Sequence, residues 1–100
     1  MSEARIETGA EGTYRVHGEL TVVTVPRLCR QPLAAEWPEG ATITIDLSAV
    51  TRSDSAGMAL LVEWLRLARQ RRVSLRLAGL PEQMREIARI SDLLPILPLV

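Results

Sequence analysis

Three oxygen-bearing side chains stand in a row at Ser53, Asp54 and Ser55, followed by the small residues Ala56 and Gly57 and then a long apolar segment. Hydroxyl and carboxylate residues immediately before such a segment read as the start of a helix. Unpaired N–H groups and a partial positive charge there accept a capping oxygen or an anion. One of the three must cap; the other two are spare. A spare serine hydroxyl at a helix start can sit in a close protein contact. Ala56 and Gly57 would leave Ser55 unshielded, so that another surface could approach. The alternative is a cap followed by two residues kept small for packing.

Other chemistries have little to work with. All twelve basic residues are arginine, which removes a phosphate-loop lysine, a Schiff base and a lysine general base. His17 and Cys29 are single representatives of their types, so no zinc cluster, disulfide framework or paired redox cysteines can form, and no metal or cofactor is expected. Twelve basic residues balance twelve acidic ones, and only 3% of residues are aromatic, which argues against nucleic acid as a partner. His17 has no readable serine or acid arrangement around it, so an enzyme is not expected. Asp46, at a strand end, is expected to orient the loop after it. Cys29 reads as a small buried hydrophobe, and Arg66, Arg69, Arg71 and Arg72 as a solvated face beside Glu63. The acidic start MSEARIETGA lacks the basic and apolar parts of a signal peptide, and no apolar run approaches the ~20 residues that span a bilayer. A soluble cytoplasmic protein is expected.

The elements that must hold these residues follow from periodicity. One hundred residues suit a single domain with one core, residues 1–100. Residues 5–7 and 14–17 read as strands joined by a turn at Gly9, Glu11 and Gly12, with Gly18 ending the second. Residues 22–33 suggest a helix entered through Thr21 or Thr24, with Pro26 in its first turn. The β-branched run over 41–47 predicts a central strand, followed by a loop over 48–53 and a long helix over 55–71. A strand comes next at 73–78, closed by Gly79, and Pro81 opens a further helix. Met84, Ile87, Ala88 and Ser91 share a face of that helix, and Ser91 and Asp92 end or kink it. The uncharged tail from residue 93 covers a sheet edge or the core margin, or binds a partner; Pro95 and Pro98 prevent a continuous helix. Strand and helix alternation implies parallel pairing through crossovers, an α/β fold with a mixed sheet and helices packed on it.

On a helical wheel the long helix carries more apolar surface than one sheet face requires. Met58, Leu60, Leu61, Val62, Trp64, Leu65, Leu67 and Ala68 span roughly 220°, against the ~100° of a core-facing stripe. If Leu61, Leu65 and Ala68 face the sheet, then Leu60, Trp64 and Leu67 form one flank, and Met58 and Val62 the other. Either neighbouring helices cover the flanks, or one is a docking patch with Trp64 as its anchor.

The run over residues 45–62, IDLSAVTRSDSAGMALLV, resembles the central motif of STAS domains, the group that includes bacterial anti-sigma factor antagonists. The matching features are a buried strand, a short loop, D-S-x-G at a helix start, a long apolar helix, a strand, Gly79-Leu80 and a further helix. The resemblance covers about residues 5–94, with an apolar tail over 95–100, and implies a mixed sheet of four to five strands. Within the family, the tryptophan-bearing helix and the ending SDLLPIL are most similar to the small STAS subunits of phospholipid ABC transporters that maintain outer-membrane lipid asymmetry. That subgroup implies a non-enzymatic chain bound to the cytoplasmic ATPase subunit, and through it to the membrane permease. It would sit at the inner membrane without insertion. Ser53, Asp54, Ser55, Gly57, Met58, Leu60 and Trp64 would make the contact. The alternative implied by the family is an anti-sigma factor antagonist switched by phosphorylation: Ser55 matches the phosphorylated residue and Asp54 the acid beside it. Ala56 departs from the pattern, standing where antagonists often carry a second serine.

Overall fold

The computed structural model describes residues 3–30 and 33–100. A four-stranded sheet of order β1-β2-β3-β4 forms the frame. β1 (Ala4–Thr8) pairs antiparallel with β2 (Thr13–Leu20), β2 parallel with β3 (Thr42–Ser53), and β3 parallel with β4 (Ser74–Ala78). Alternation along the strands buries one face: Tyr14 and Val16, then Ile43, Ile45 and Leu47, then Leu75 and Leu77. Thr13, Arg15, Thr44, Asp46, Ser74 and Arg76 alternate with them and are exposed or half-buried.

Three helices supply the rest of the core: α1 (Val25–Cys29), α2 (Ser55–Gln70) and α3 (Glu82–Ile90). α2 packs against β3 and β4 and touches both α1 and α3. Its buried residues are Gly57, Met58, Leu60, Leu61, Trp64 and Ala68. α3 is amphipathic, with Met84 and Ala88 fully buried and Ile87 packed beside them. Trp37 lies between the short 3-10 turn Leu33–Glu36 and β3, and it is fully buried. The guanidinium of Arg71 holds that segment to the end of α2 by donating to the Trp37 carbonyl at 3.0 and 3.2 Å.

The mixed sheet agrees with the sequence, but several boundaries move. β2 continues through Gly18 to Leu20 rather than ending at the glycine. Gly18 has φ +93°, and a Cβ there would lie 2.1 Å from the Glu3 carbonyl oxygen; the register slips immediately after it. The glycine lets β2 pass close to Glu3 and continue, while β3 takes up the shift by carrying an extra residue, Thr51, opposite the step from Gly18 to Glu19. β3 likewise runs on through the expected loop to Ser53, because β2 accompanies it in parallel with two register shifts. The helix expected over 22–33 contracts to Val25–Cys29, since residues 21–24 form a side-chain-bonded turn and the chain turns into 3-10 geometry from Leu33. Gln31 and Pro32, in the same expected helix, lie outside the described residues. Ser91 caps α3 but is exposed, outside the apolar face. Of the roles open to the tail, the structure shows the edge cover. Leu99 bridges to Leu77 in parallel, the Leu77 N–H donates to the Pro98 carbonyl at 2.8 Å, and Leu97 is buried.

Candidate functional site

The three oxygen side chains before α2 have three different fates. Ser53, the last residue of β3, is buried; its N–H donates to Gln83 Oε1 at 2.8 Å, and its hydroxyl donates to the Asp54 carbonyl at 3.0 Å. It fastens β3 to α3. Asp54 is the cap: in extended conformation, its Oδ1 accepts the Ala56 N–H at 2.8 Å. Its second oxygen, Oδ2, accepts the N–H of Val22 at 3.1 Å, and its own N–H donates to the Leu20 carbonyl at 3.1 Å. Ser55, the first residue of α2, is exposed and forms no hydrogen bond through its hydroxyl with another described residue. It is therefore the spare hydroxyl.

Asp54 brings a second segment to the site. In residues 21–24 between β2 and α1, the Thr24 Oγ1 accepts the Thr21 N–H at 3.0 Å and donates to the Glu19 carbonyl, and the Thr21 Oγ1 accepts the Val23 N–H at 3.2 Å. The N–H groups of Thr24 and Val25 both donate to the Thr21 carbonyl. Every N–H from Thr21 to Val25 is thereby paired, and Thr21 and Thr24 are buried while Val22 and Val23 stand 67% and 57% exposed. Two apolar side chains are held in water by an ordered turn whose backbone is bonded to Asp54, the residue before Ser55. The sequence reading missed this pair by absorbing it into a helix. The available signal was two threonines three residues apart, the spacing of a hydroxyl-bonded turn.

The apolar flank expected of α2 is not exposed. Met58 and Leu60 are 3% exposed and Trp64 is 4% exposed. α1 and the 3-10 turn cover one side of α2, and α3 packs on it as well. Most of the apolar arc is thus core, with Leu65 and Leu67 partly buried against it and Val62 half-buried outside the core cluster. What remains on the Leu60 side is a groove of about 350 Å³, bordered by Leu28, Leu33, Leu60, Trp64 and Leu67. Gly57 also faces inward: a Cβ there would lie 2.1 Å from Ser53 Oγ and 2.9 Å from Leu20 Cβ. Its smallness lets α2 approach the end of β2, rather than clearing space over Ser55.

The remaining candidates resolve simply. Asp46 orients the backbone just beyond it, accepting the Ser48 N–H at 2.9 Å and the Arg15 Nε–H at 3.1 Å, although the segment is strand rather than loop. The Ser48 hydroxyl and N–H, with Arg15 adding to them, hold its carboxyl below the ordinary aspartate value. His17 Nε2 is 3.6 Å from Glu7 Oε1 and has no hydrogen-bond partner among the described residues. Cys29 is exposed, not buried, because α1 ends there with its apolar contact made by Leu28. Arg66 pairs with Glu63 as expected of a solvated face, whereas Arg71 turns back to the backbone. No helix among the described residues is long and apolar enough to cross a membrane.

The family model described as "Mlab, STAS domain" matches residues 4–98, and the chain belongs to this family. Among curated proteins, the anti-sigma-B factor antagonists of Listeria monocytogenes and Listeria innocua are each 32% identical over 84 residues, covering 81% of this chain and 74% of theirs. Two solved structures share the fold. The anti-sigma factor antagonist SpoIIAA in its unphosphorylated form has a TM-score of 0.69 at 18% identity, with 97% of this chain and 87% of that one covered. An anti-sigma-factor antagonist (STAS) domain protein from Planctomyces limnophilus has a TM-score of 0.73 at 17% identity, with coverage of 98% and 89%.

Proposed function

We propose that this chain is a non-catalytic binding module of the anti-sigma factor antagonist kind, docking onto an anti-sigma factor through the start of α2 and the adjoining Val22 and Val23, and switched by phosphorylation of Ser55. The observation that carries the reading is the division of labour before α2: Ser53 is buried, Asp54 is bonded through both oxygens, and Ser55 alone presents an open hydroxyl. The curated relatives bear the antagonist name, which supports this reading over the transporter role expected first from the sequence. Unmodified, the face offers two exposed valines and a small hydroxyl to a close contact. In the switch, Ser55 Oγ takes the terminal phosphoryl group of a nucleoside triphosphate supplied by a kinase, releasing the diphosphate and a proton. The phosphate adds about −1.5 to −2 charges next to Asp54 and opposes an apolar contact there.

The second reading is a STAS subunit on the ATPase of a phospholipid ABC transporter, and through it on the permease at the inner membrane; the description of the family model favours it. It uses the same face without a covalent step. Purification from native cells through a tag on this chain, with phosphopeptide mapping, separates the two. The antagonist reading expects a soluble anti-sigma factor and phosphate on Ser55. Recovery of an ABC ATPase with its membrane subunits, and an unmodified Ser55, would replace it with the second reading.

A further inference from the structure

The two carboxylate oxygens of Asp54 serve two different segments, and only one of them is needed for the cap. Oδ1 accepts the Ala56 N–H at 2.8 Å, which is the ordinary duty of an N-cap, whereas Oδ2 reaches across 32 residues of sequence to the Val22 N–H at 3.1 Å. The other N–H groups of that turn are held locally, by Thr21 and Thr24. The bond to Asp54 Oδ2 joins the turn to the helix start. The cost of ordering Val22 and Val23, at 67% and 57% exposure, is met before any partner arrives.

We propose that Asp54 is a positioning residue for partner binding: its second carboxylate oxygen, by holding the Val22 N–H, fixes the Val22 and Val23 side chains beside Ser55 as one preorganised contact face. This rests on the reading of that face as the partner surface. It gives Asp54 a role that neither capping nor a kinase requires. It also explains why a carboxylate stands at a position where serine or asparagine would cap equally well, since neither of those offers two acceptor oxygens.

Asp54→Asn and Asp54→Ser test the proposal, because both keep an N-cap oxygen and neither can accept both N–H groups. The readouts are amide hydrogen exchange at Val22 and Ala56, the melting temperature, and affinity for the anti-sigma factor that co-purifies with the wild-type chain. The expected result is Val22 exchange faster by about ten- to a hundredfold, the loss of one hydrogen bond to a charged group. Ala56 exchange should stay near wild type. The melting temperature should fall by no more than the lost bond accounts for, on the order of 5–20 °C, with the protein folded at the assay temperature. Affinity should fall at least about fivefold, in step with the loss of Val22 protection. If asparagine keeps its oxygen on Val22 and releases Ala56 instead, affinity should stay at the wild-type level. Unchanged Val22 exchange in both variants would overturn the tie. Affinity that does not follow Val22 protection would overturn its role in binding. Failure of the wider reading looks different: Val23→Ser and Ser55→Asp would then both leave affinity unchanged, whatever the exchange rates at Val22.

Discussion

Gly57→Ala sets two opposed effects against each other inside a helix. Alanine is favoured over glycine in a helix interior by about 1 kcal/mol, so helix propensity alone makes the variant more stable. Packing runs the other way. The added Cβ would lie 2.1 Å from Ser53 Oγ, 2.9 Å from Leu20 Cβ and 3.0 Å from the Leu20 carbonyl oxygen. The serine oxygen can rotate away, but it then gives up its bond to the Asp54 carbonyl in a buried site, a loss of about 0.5–1.5 kcal/mol. The Leu20 contacts cannot rotate away, because one is backbone and the other a Cβ; relieving them means moving α2 off the end of β2, about 1–3 kcal/mol for overpacking of this kind. The balance is a destabilisation of about 0.5–3.5 kcal/mol, or a fall in melting temperature on the order of 2–28 °C for a chain this long. Denaturant unfolding of the variant gives the number. The double variant Ser53→Ala, Gly57→Ala removes the nearest atom and should be less destabilised than the sum of the two single changes. A Gly57→Ala protein as stable as wild type would refute the close approach, and with it the inward role assigned to this glycine.

Two further substitutions test the core and the open sheet face. Trp64→Ala should cost about 3–5 kcal/mol in chemical denaturation, as for a buried tryptophan; a loss under about 1 kcal/mol would return this side chain to the surface as a docking anchor. Asp46 has a carboxyl held below its ordinary value of 3.8, chiefly by Ser48, so its contribution to stability is present above that value and is lost as pH falls through the lower folded value. The stability difference between wild type and Asp46→Asn, measured by thermal melts against pH, should therefore be full at neutral pH and shrink below about pH 4; a difference that grows on acidification would contradict the assigned hydrogen bonds.

The parts of the fold set by regular periodicity were legible in the sequence. The run ATITIDL buries Ile43, Ile45 and Leu47 on one side, and α2 and α3 lie close to where their apolar spacing puts them. The parts set by pairing with distant residues were not. β3 continues past Leu47 because β2 runs beside it, and neither the extra β3 residues that keep the two in step nor the close approach of Gly18 to the Glu3 carbonyl is visible without the neighbouring strands. For the site, the sequence supplied the three oxygen side chains but not their assignment. The Ser53 hydroxyl is buried and bonded to the Asp54 carbonyl, while the Asp54 carboxylate meets both Ala56 and the distant Val22, a placement set by how β3 meets α2 and the end of β2. The breadth of the apolar arc on α2 was read correctly as an amount. Whether it was core or surface depended on the placement of α1 and α3, which no pattern within α2 encodes.

The most direct test of the proposed contact face is the affinity of the co-purifying partner for three proteins: wild type, Ser55→Ala and Ser55→Asp. Asp54 is the cap and Ser55, the first helical residue, makes no capping bond, while an added carboxylate suits the positive end of a helix, so all three should melt at similar temperatures. Wild type and Ser55→Ala should bind alike, because the face in its binding form carries no charge at this position. Ser55→Asp should bind at least about tenfold more weakly, from the added charge beside Asp54. A folded Ser55→Asp protein that binds its partner as tightly as wild type would contradict the placement of Ser55 in the contact and the switch built on it.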